Sequence, residues 1–274
     1  MKFADLHLHT NYSDGTYTPK ELVEKAVKAG LSCISITDHD TVGAISEAMD
    51  VADSLGIEIL PGIEISCEYE LREVHILGYL IDHKSAALLK RLETLKENRI
   101  NRIYKITEKL NALGINLRAD DVFSVANGAT VGRLHVARAM VLKGFVKTVS
   151  EAFNRFIGDN GPAFSLGFRF TPEEAIKFIR DNAGVAVLAH PYVIENEELI
   201  FKFIGLGLTG LEVYYPEHSQ GEINFYLGLA KEHNLLVTGG SDCHGSAKPQ
   251  VRIGSIKIPY DLVEKMKEAR ERLS

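Results

Sequence analysis

A chain of 274 residues, 45% hydrophobic and with a formal net charge of -6, is long enough to bury one large core without requiring a second domain. The acidic balance argues against the basic face by which proteins grip long nucleic acid, but a small anionic substrate is compatible with it if bound cations reverse the local sign. Three scattered cysteines, no run of about 18 apolar residues and an N-terminus that enters a strand at once predict a cytoplasmic protein with no disulfide framework, thiolate zinc motif, membrane span or secretory leader.

Residues Lys2–His9 read as a short strand. Thr18-Pro19 then supplies a cap and a first-turn proline for an amphipathic helix over Lys20–Ala29, ended by Gly30. A buried strand follows over Cys33–Thr37, then a helix from about Ala44 to Leu55 closed by Gly56, then a third strand over Ile57–Ile65. Val74–Ile81 reads as a fourth strand with no helix before it, which breaks the alternation.

From Lys84 to Phe164 helical periodicity takes over, around Leu88–Leu113, Arg133–Leu142 and Ser150–Ile157, with almost no β-rich run. Residues 84–170 are therefore read as a helical insertion, with Gly158–Phe170 as its return loop. Residues 1–83 and 171–274 form the barrel. Thr171-Pro172-Glu173-Glu174 opens the next helix. Strands over Val185–Ala189, Gly210–Tyr214, Leu235–Gly239 and Ile253–Ile258, with helices between and after them, bring the total to about seven or eight β/α units. No fixed-period repeat or low-complexity tract interrupts the pattern.

Polar residues recur at one place in these units. His7 and His9, Asp38-His39-Asp40, Glu64, His190 and Asp242-Cys243-His244 each fall at the C-terminal end of a predicted strand, and in a β/α barrel those ends converge on the face where active sites are built. His7 and His9 are two apart on an extended chain, so both rings point to one side and can reach one cation at about 2.0–2.2 Å. Asp242 and His244 repeat that spacing. Either pair alone could equally be a capping or hydrogen-bonded strand end.

Glu64 follows an apolar run where an unpaired carboxylate would be costly; a metal ion or an ion pair resolves that cost. His190 closes Val185–Ala189 and is held extended by Pro191. His75, alone in an apolar strand, reads by itself as a core histidine, and His83, His218 and His233 read as surface residues. Imidazole and carboxylate donors without a thiolate suit manganese, iron or zinc, and there are more of them than one catalytic ion uses.

In this arrangement the chain resembles the PHP (polymerase and histidinol phosphatase) superfamily over nearly its full length. The matching motifs are Asp5-Leu-His7-Leu-His9-Thr10, Ser13-Asp14-Gly15, Thr37-Asp38-His39, Gly62-Ile63-Glu64, His75, Ala189-His190-Pro191 and Ser241-Asp242-Cys243-His244. The resemblance implies an α/β fold, a distorted (β/α)7 TIM-like barrel with a helical insertion, and a site for two to three divalent ions, manganese first. Carried over, His7, His9, Glu64 and Asp242 would hold one ion. Glu64 would bridge to a second held by His75 and His190, and Asp14, His39 and His244 would hold a third. Some family members carry histidine where Asp14 stands, which would alter that third position.

The insertion is similar to that of family members acting on nucleoside 3′,5′-bisphosphates or trimming short RNA. Its segment Gly132–Arg138 would reach over the metals, with Arg133 offering a planar fork to phosphate oxygens and His135 contacting phosphate or assisting the leaving group. The reaction implied is hydrolysis of a phosphoester by metal-activated water, with Asp38 and Asp40 as orienting residues behind the ligands. The expected partner is a small phosphorylated substrate, a nucleotide or a short oligonucleotide. Two alternatives stand beside it: a histidinol-phosphate-type phosphatase of a small metabolite, and a non-catalytic metal-binding or regulatory module.

Overall fold

The computed structural model describes residues 1–70, 72–167, 170–194 and 197–273. The first half of the barrel runs β1 (Phe3–Leu8), α1 (Pro19–Lys28), β2 (Cys33–Ile36), α2 (Ile45–Leu55), β3 (Glu58–Tyr69) and β4 (Arg72–Tyr79). A helical stretch follows: α3 (Ala86–Ala112), α4 (Ala119–Ala126), α5 (Arg133–Leu142) and α6 (Val149–Ala152), the last running into a π-helical turn over Phe153–Ile157. The barrel resumes with α7 (Pro172–Asp181), β5 (Val185–Leu188), α8 (Glu197–Gly205), β6 (Gly210–Tyr214), α9 (Gln220–Glu232), β7 (Leu236–Gly239), β8 (Ile258–Pro259) and α10 (Asp261–Leu273). Among the described residues, no helix is long and apolar enough to cross a membrane.

Helix starts follow local chemistry. Thr18, Thr171 and Ser219 each accept the backbone N–H three residues on, while Glu21, Glu174 and Glu222 reach back to the cap. Such reciprocal boxes satisfy two donors that a helix end otherwise leaves open.

The strands form one sheet in the order β7-β6-β5-β4-β3-β2-β1-β8. β1, β2 and β3 run parallel, as do β5, β6 and β7, whereas β4 is antiparallel to both its neighbours. The sheet nearly closes into a barrel where the chain after β7 meets β1: Asp242 N–H donates to His7 O at 2.8 Å and His9 N–H to Cys243 O at 3.1 Å. Gly240 lets the two backbones approach, because a Cβ there would collide with the His7 backbone and Cβ.

The reversed β4 explains the broken alternation. β3 and β4 form a long hairpin, so β3 extends to Tyr69 instead of ending at Ile65. Ser66 pairs with His75, which places the early part of β4 level with the late part of β3. His75, Leu77 and Tyr79 share one face by the strand's period of two, and Ile76 and Val74 pack on the other with Ile176 and Ile179 of α7.

One expected strand is shorter than read, and one helix was not read at all. The strand read over Ile253–Ile258 is reduced to Ile258–Pro259, because Gly254 takes φ +74° and its N–H binds the Asp5 carboxylate at 2.8 Å, turning the chain. Helix α4 was not read from sequence; its eight residues are too few to show a clear helical period before Asn127 ends it in the left-handed region. Of the return loop expected over Gly158–Phe170, Phe168 and Arg169 lie outside the described residues. The helices α3 to α6 carry a core of their own, including Ile106, Leu110, Val122, Val136 and Met140, apart from the core between sheet and outer helices around Ile65, Ile76, Leu188 and Phe203.

Candidate metal centre

At the strand ends the imidazoles gather around one carboxylate. Glu64 Oε2 lies 3.3 Å from His7 Nε2, 3.2 Å from His9 Nε2 and 3.1 Å from His39 Nδ1. Its other oxygen, Oε1, lies 2.7 Å from His75 Nδ1 and 3.1 Å from His190 Nε2. Asp242 Oδ1 approaches His7 and His9 at 3.5 and 3.1 Å, and Asp14 faces His244 at 3.2 Å and His39 at 3.8 Å. All nine residues expected as ligands therefore meet in one place. His75 belongs there because β4 is reversed.

The backbone is bent to achieve this. His190 is not extended as expected before Pro191 but takes φ +28°, and with Asp242 at φ +54° and Asp40 at φ +51° it occupies a region that side chains with a Cβ enter only at a cost.

Within this cluster His7 Nε2, His9 Nε2, His39 Nδ1, His190 Nδ1, Asp14 Oδ1 and Glu64 Oε2 are buried without a hydrogen-bond partner. Buried polar atoms are normally satisfied, and orphaned donor atoms pooled in one pocket fit divalent cations. Among the described residues, three sets have donor atoms close enough to share an ion: His9, Asp14, His39 and His244; His7, His9 and Asp242; and His39, Glu64 and His75. His9 and His39 thus each stand in two sets. Cys243 contributes no donor; it is buried, with its thiol turned to Val251 O and its sulfur accepting the Gly245 N–H.

Charge in the cluster is strongly coupled. Burial opposes ionisation of Glu64, but His39, His75 and His7 overcome it and hold the carboxyl well below its usual range. Burial likewise disfavours imidazolium at His9 and His75, yet the facing carboxylates raise both to about 9. His39 goes the other way, pushed well down chiefly by burial.

The residues behind the cluster were only partly foreseen. Asp38 accepts the Thr10 N–H and the Thr10 and Ser13 hydroxyls, so it holds the loop after β1 and not an imidazole. Asp40 accepts the Ser66 N–H at 2.9 Å and Arg99 Nε at 2.6 Å, joining barrel to α3.

Sequence reasoning missed Glu212, whose Oε1 is 2.9 Å from His7 Nδ1 and whose Oε2 accepts the His190 N–H at 2.8 Å. The signal was there: a lone acid inside the apolar β6 strand Gly-Leu-Glu-Val-Tyr. Also missed were Tyr215 and Lys248, which donate to Asp242 Oδ2 at 2.8 and 2.7 Å. Because a partner on the far ring nitrogen fixes an imidazole for metal binding, Glu212→Gln is expected to weaken manganese binding about 10- to 100-fold. Titration calorimetry of the ion-free chain measures this, and unchanged affinity would remove Glu212 from the account.

Arg133 and His135 lie at the start of α5. Arg133 Nη2 is 2.6 Å from Glu73 Oε2, and Nη1 pairs with Asp159. His135 is buried and its Nδ1 accepts the Gly132 N–H at 3.1 Å, with burial lowering its pKa to about 4. His218 corrects its surface reading: it is buried, with Nδ1 2.8 Å from Val213 O and its ring against Tyr192, Tyr215 and Tyr226. A cleft of about 730 Å³ opens at the cluster, lined by Asp14, His39 and His75 together with Arg102, Arg133 and Phe153.

A barrel whose strand ends pool imidazole and carboxylate donors beneath an arginine-lined cleft has the build of a metal-dependent hydrolase. The PHP domain model matches residues 5–157, more than half of the chain, and the chain belongs to the PHP domain family. It is 32% identical over 250 residues to a 3′,5′-nucleoside bisphosphate phosphatase of Chromobacterium violaceum, covering 89% of this chain and 88% of that protein. Against a 5′-3′ exoribonuclease of Haemophilus influenzae it is 34% identical over 248 residues, covering 89% and 90%. A crystal structure from Bifidobacterium adolescentis, described as a metal-dependent phosphoesterase, superposes with a TM-score of 0.89 at 32% identity, over 97% of this chain and 96% of that one. The chain is a metal-dependent phosphoesterase with a distorted barrel fold.

Proposed function

We propose that the chain hydrolyses a phosphate ester of a nucleotide-type substrate, either a nucleoside 3′,5′-bisphosphate or a short 5′-phosphorylated RNA. The observation that carries this reading is a cleft lined both by Asp14, His39, His75 and His244 of the donor cluster and by Arg133. The names of the bacterial relatives support the substrate class. The net charge of -6 favours a short substrate over a long polynucleotide.

In this reading His7, His9, Glu64 and Asp242 hold one ion, Glu64 with His75 and His190 a second, and Asp14, His39 and His244 a third. The nitrogen and oxygen donors suit manganese, iron or zinc, and manganese is the ion to test first. Bound ions supply Lewis acidity and lower the pKa of water toward about 7.

The chain supplies the rest. Arg133 presents a guanidinium aimed by Glu73 and Asp159, so a phosphoryl oxygen entering the cleft meets a donor of fixed direction. His135, with Nδ1 committed to Gly132, carries its proton on Nε2 and stays neutral near pH 7. It therefore serves as a hydrogen-bond donor and not as an imidazolium acid. Asp38 and Asp40 hold the loops that carry His9 and His39. Residues 84–170 act as an insertion over the site, and residues 1–83 with 171–274 as the barrel. Work in a reducing cytoplasm accords with three free cysteines.

The test is a panel of adenosine 3′,5′-bisphosphate, 5′-phosphorylated short RNA, histidinol phosphate and an aryl phosphate, each with manganese. Turnover is expected on the first two. Arg133→Ala should lower kcat/KM on the bisphosphate by about 100-fold or more when measured at saturating manganese. Selective turnover of histidinol phosphate would make the protein a small-metabolite phosphatase. Metal binding with no hydrolysis of any member would make it a non-catalytic module.

A further inference from the structure

Glu73 stands where the metal centre meets the helical segment. It is two residues before His75 on β4, so both side chains leave the same face of the strand. Its Oε1 lies 3.0 Å from His75 Nε2. Its Oε2 receives Arg133 Nη2 at 2.6 Å and Arg102 Nη2 at 3.3 Å. Arg102 is buried and anchored in turn, its Nε donating to Ser165 O at 2.7 Å. On the far side of the His75 ring, Nδ1 faces Glu64 Oε1 at 2.7 Å and His190 Nε2 at 3.3 Å.

The chemistry of this chain of contacts is restrictive. If Nδ1 is the nitrogen turned to the ion, Nε2 carries the proton, and the described groups that bond Glu73 are then all donors: one imidazole N–H and two guanidinium groups. A carboxylate, which only accepts, satisfies all three. A glutamine does not, because its NH2 must face either the imidazole N–H or an arginine. The two arginines also compensate the buried charge of Glu73, leaving the carboxylate fixed in place.

We infer that Glu73 is a positioning residue of the metal centre: locked by Arg102 and Arg133, it turns His75 Nδ1 toward Glu64 and sets the cation affinity of the part of the centre that contains His75. The inference deepens the functional reading above and rests on it for the role of His75 as a ligand. It ties the metal site to two arginines, of which Arg102 reaches the site through Glu73.

Calorimetric titration of manganese into the full chain, stripped of metal beforehand, tests this. Glu73→Gln should weaken one class of binding about 10- to 100-fold. Its kcat, reduced at limiting manganese, should recover at saturating manganese. Arg102→Met should weaken the same class in the same direction, and the double variant should bind no more weakly than Glu73→Gln alone, because both changes act through one path. Wild-type affinity in Glu73→Gln, or additive losses in the double variant, would overturn the inference. If Glu73→Gln does not fold, Arg102→Met carries the test, and unchanged manganese binding in it has the same consequence. A wild-type chain that binds manganese but hydrolyses no phosphoester would defeat the substrate reading and leave the Glu73 comparison standing.

Discussion

Glu64→Gln is expected to abolish measurable phosphoesterase turnover and to lower bound manganese, with a loss greater than the roughly 100-fold reached when only an outer partner of a ligand is removed. Both Glu64 oxygens are engaged, Oε2 toward His7, His9 and His39 and Oε1 toward His75 and His190. An amide keeps the shape but replaces one acceptor with a donor and removes the negative charge that the imidazoles and any cations share. Elemental analysis after manganese loading, paired with single-turnover kinetics, reads both effects. A Glu64→Gln protein with full metal content and near-normal turnover would show that the ions sit elsewhere.

The second large effect is on stability. Arg99, on α3, donates through Nε to Asp40 at 2.6 Å, through Nη2 to Ser66 Oγ at 2.7 Å and through Nη1 to Val131 O at 3.1 Å. This buried guanidinium thus joins three points of barrel and helical segment at once. Arg99→Met leaves the buried Asp40 carboxylate without its cation, and removing one member of a buried pair costs about 3–5 kcal/mol. Adding Asp40→Asn to Arg99→Met should restore much of that loss, because the stranded charge is then gone. Urea unfolding of the two variants and the parent measures it. A loss below about 1 kcal/mol for Arg99→Met would place this pair among the weak surface bridges.

How much of this could be read from the sequence depends on the range of the interactions involved. Helix starts were legible because Thr18 with Glu21 and Thr171 with Glu174 act across three residues. Most of the expected ligands were legible because strand alternation is local and polar residues at the ends of apolar runs need a reason to be there, whereas Asp14 came from the resemblance alone. His75 was not, on residues alone: inside Val-His-Ile-Leu it looks like core, and only the antiparallel pairing of Ser66 with His75 brings it to the cluster. The resemblance supplied what periodicity could not.

The supporting carboxylates were harder still. Glu212 acts on His7 from the other end of the chain, and Asp40 meets Arg99 across the barrel–helix boundary. Such pairs depend on tertiary closure, which leaves no periodic trace in sequence. The short strand at Ile258–Pro259 failed for a related reason, since a carboxylate on β1, Asp5, turns the chain at Gly254.

Phosphate release from adenosine 3′,5′-bisphosphate by the manganese-loaded chain, followed before and after chelation, tests the central claim most directly. Release that depends on manganese, stops when the metal is stripped and returns when it is restored is the predicted result. Release no faster than in protein-free manganese solution, from a chain shown to hold its metal, would contradict it.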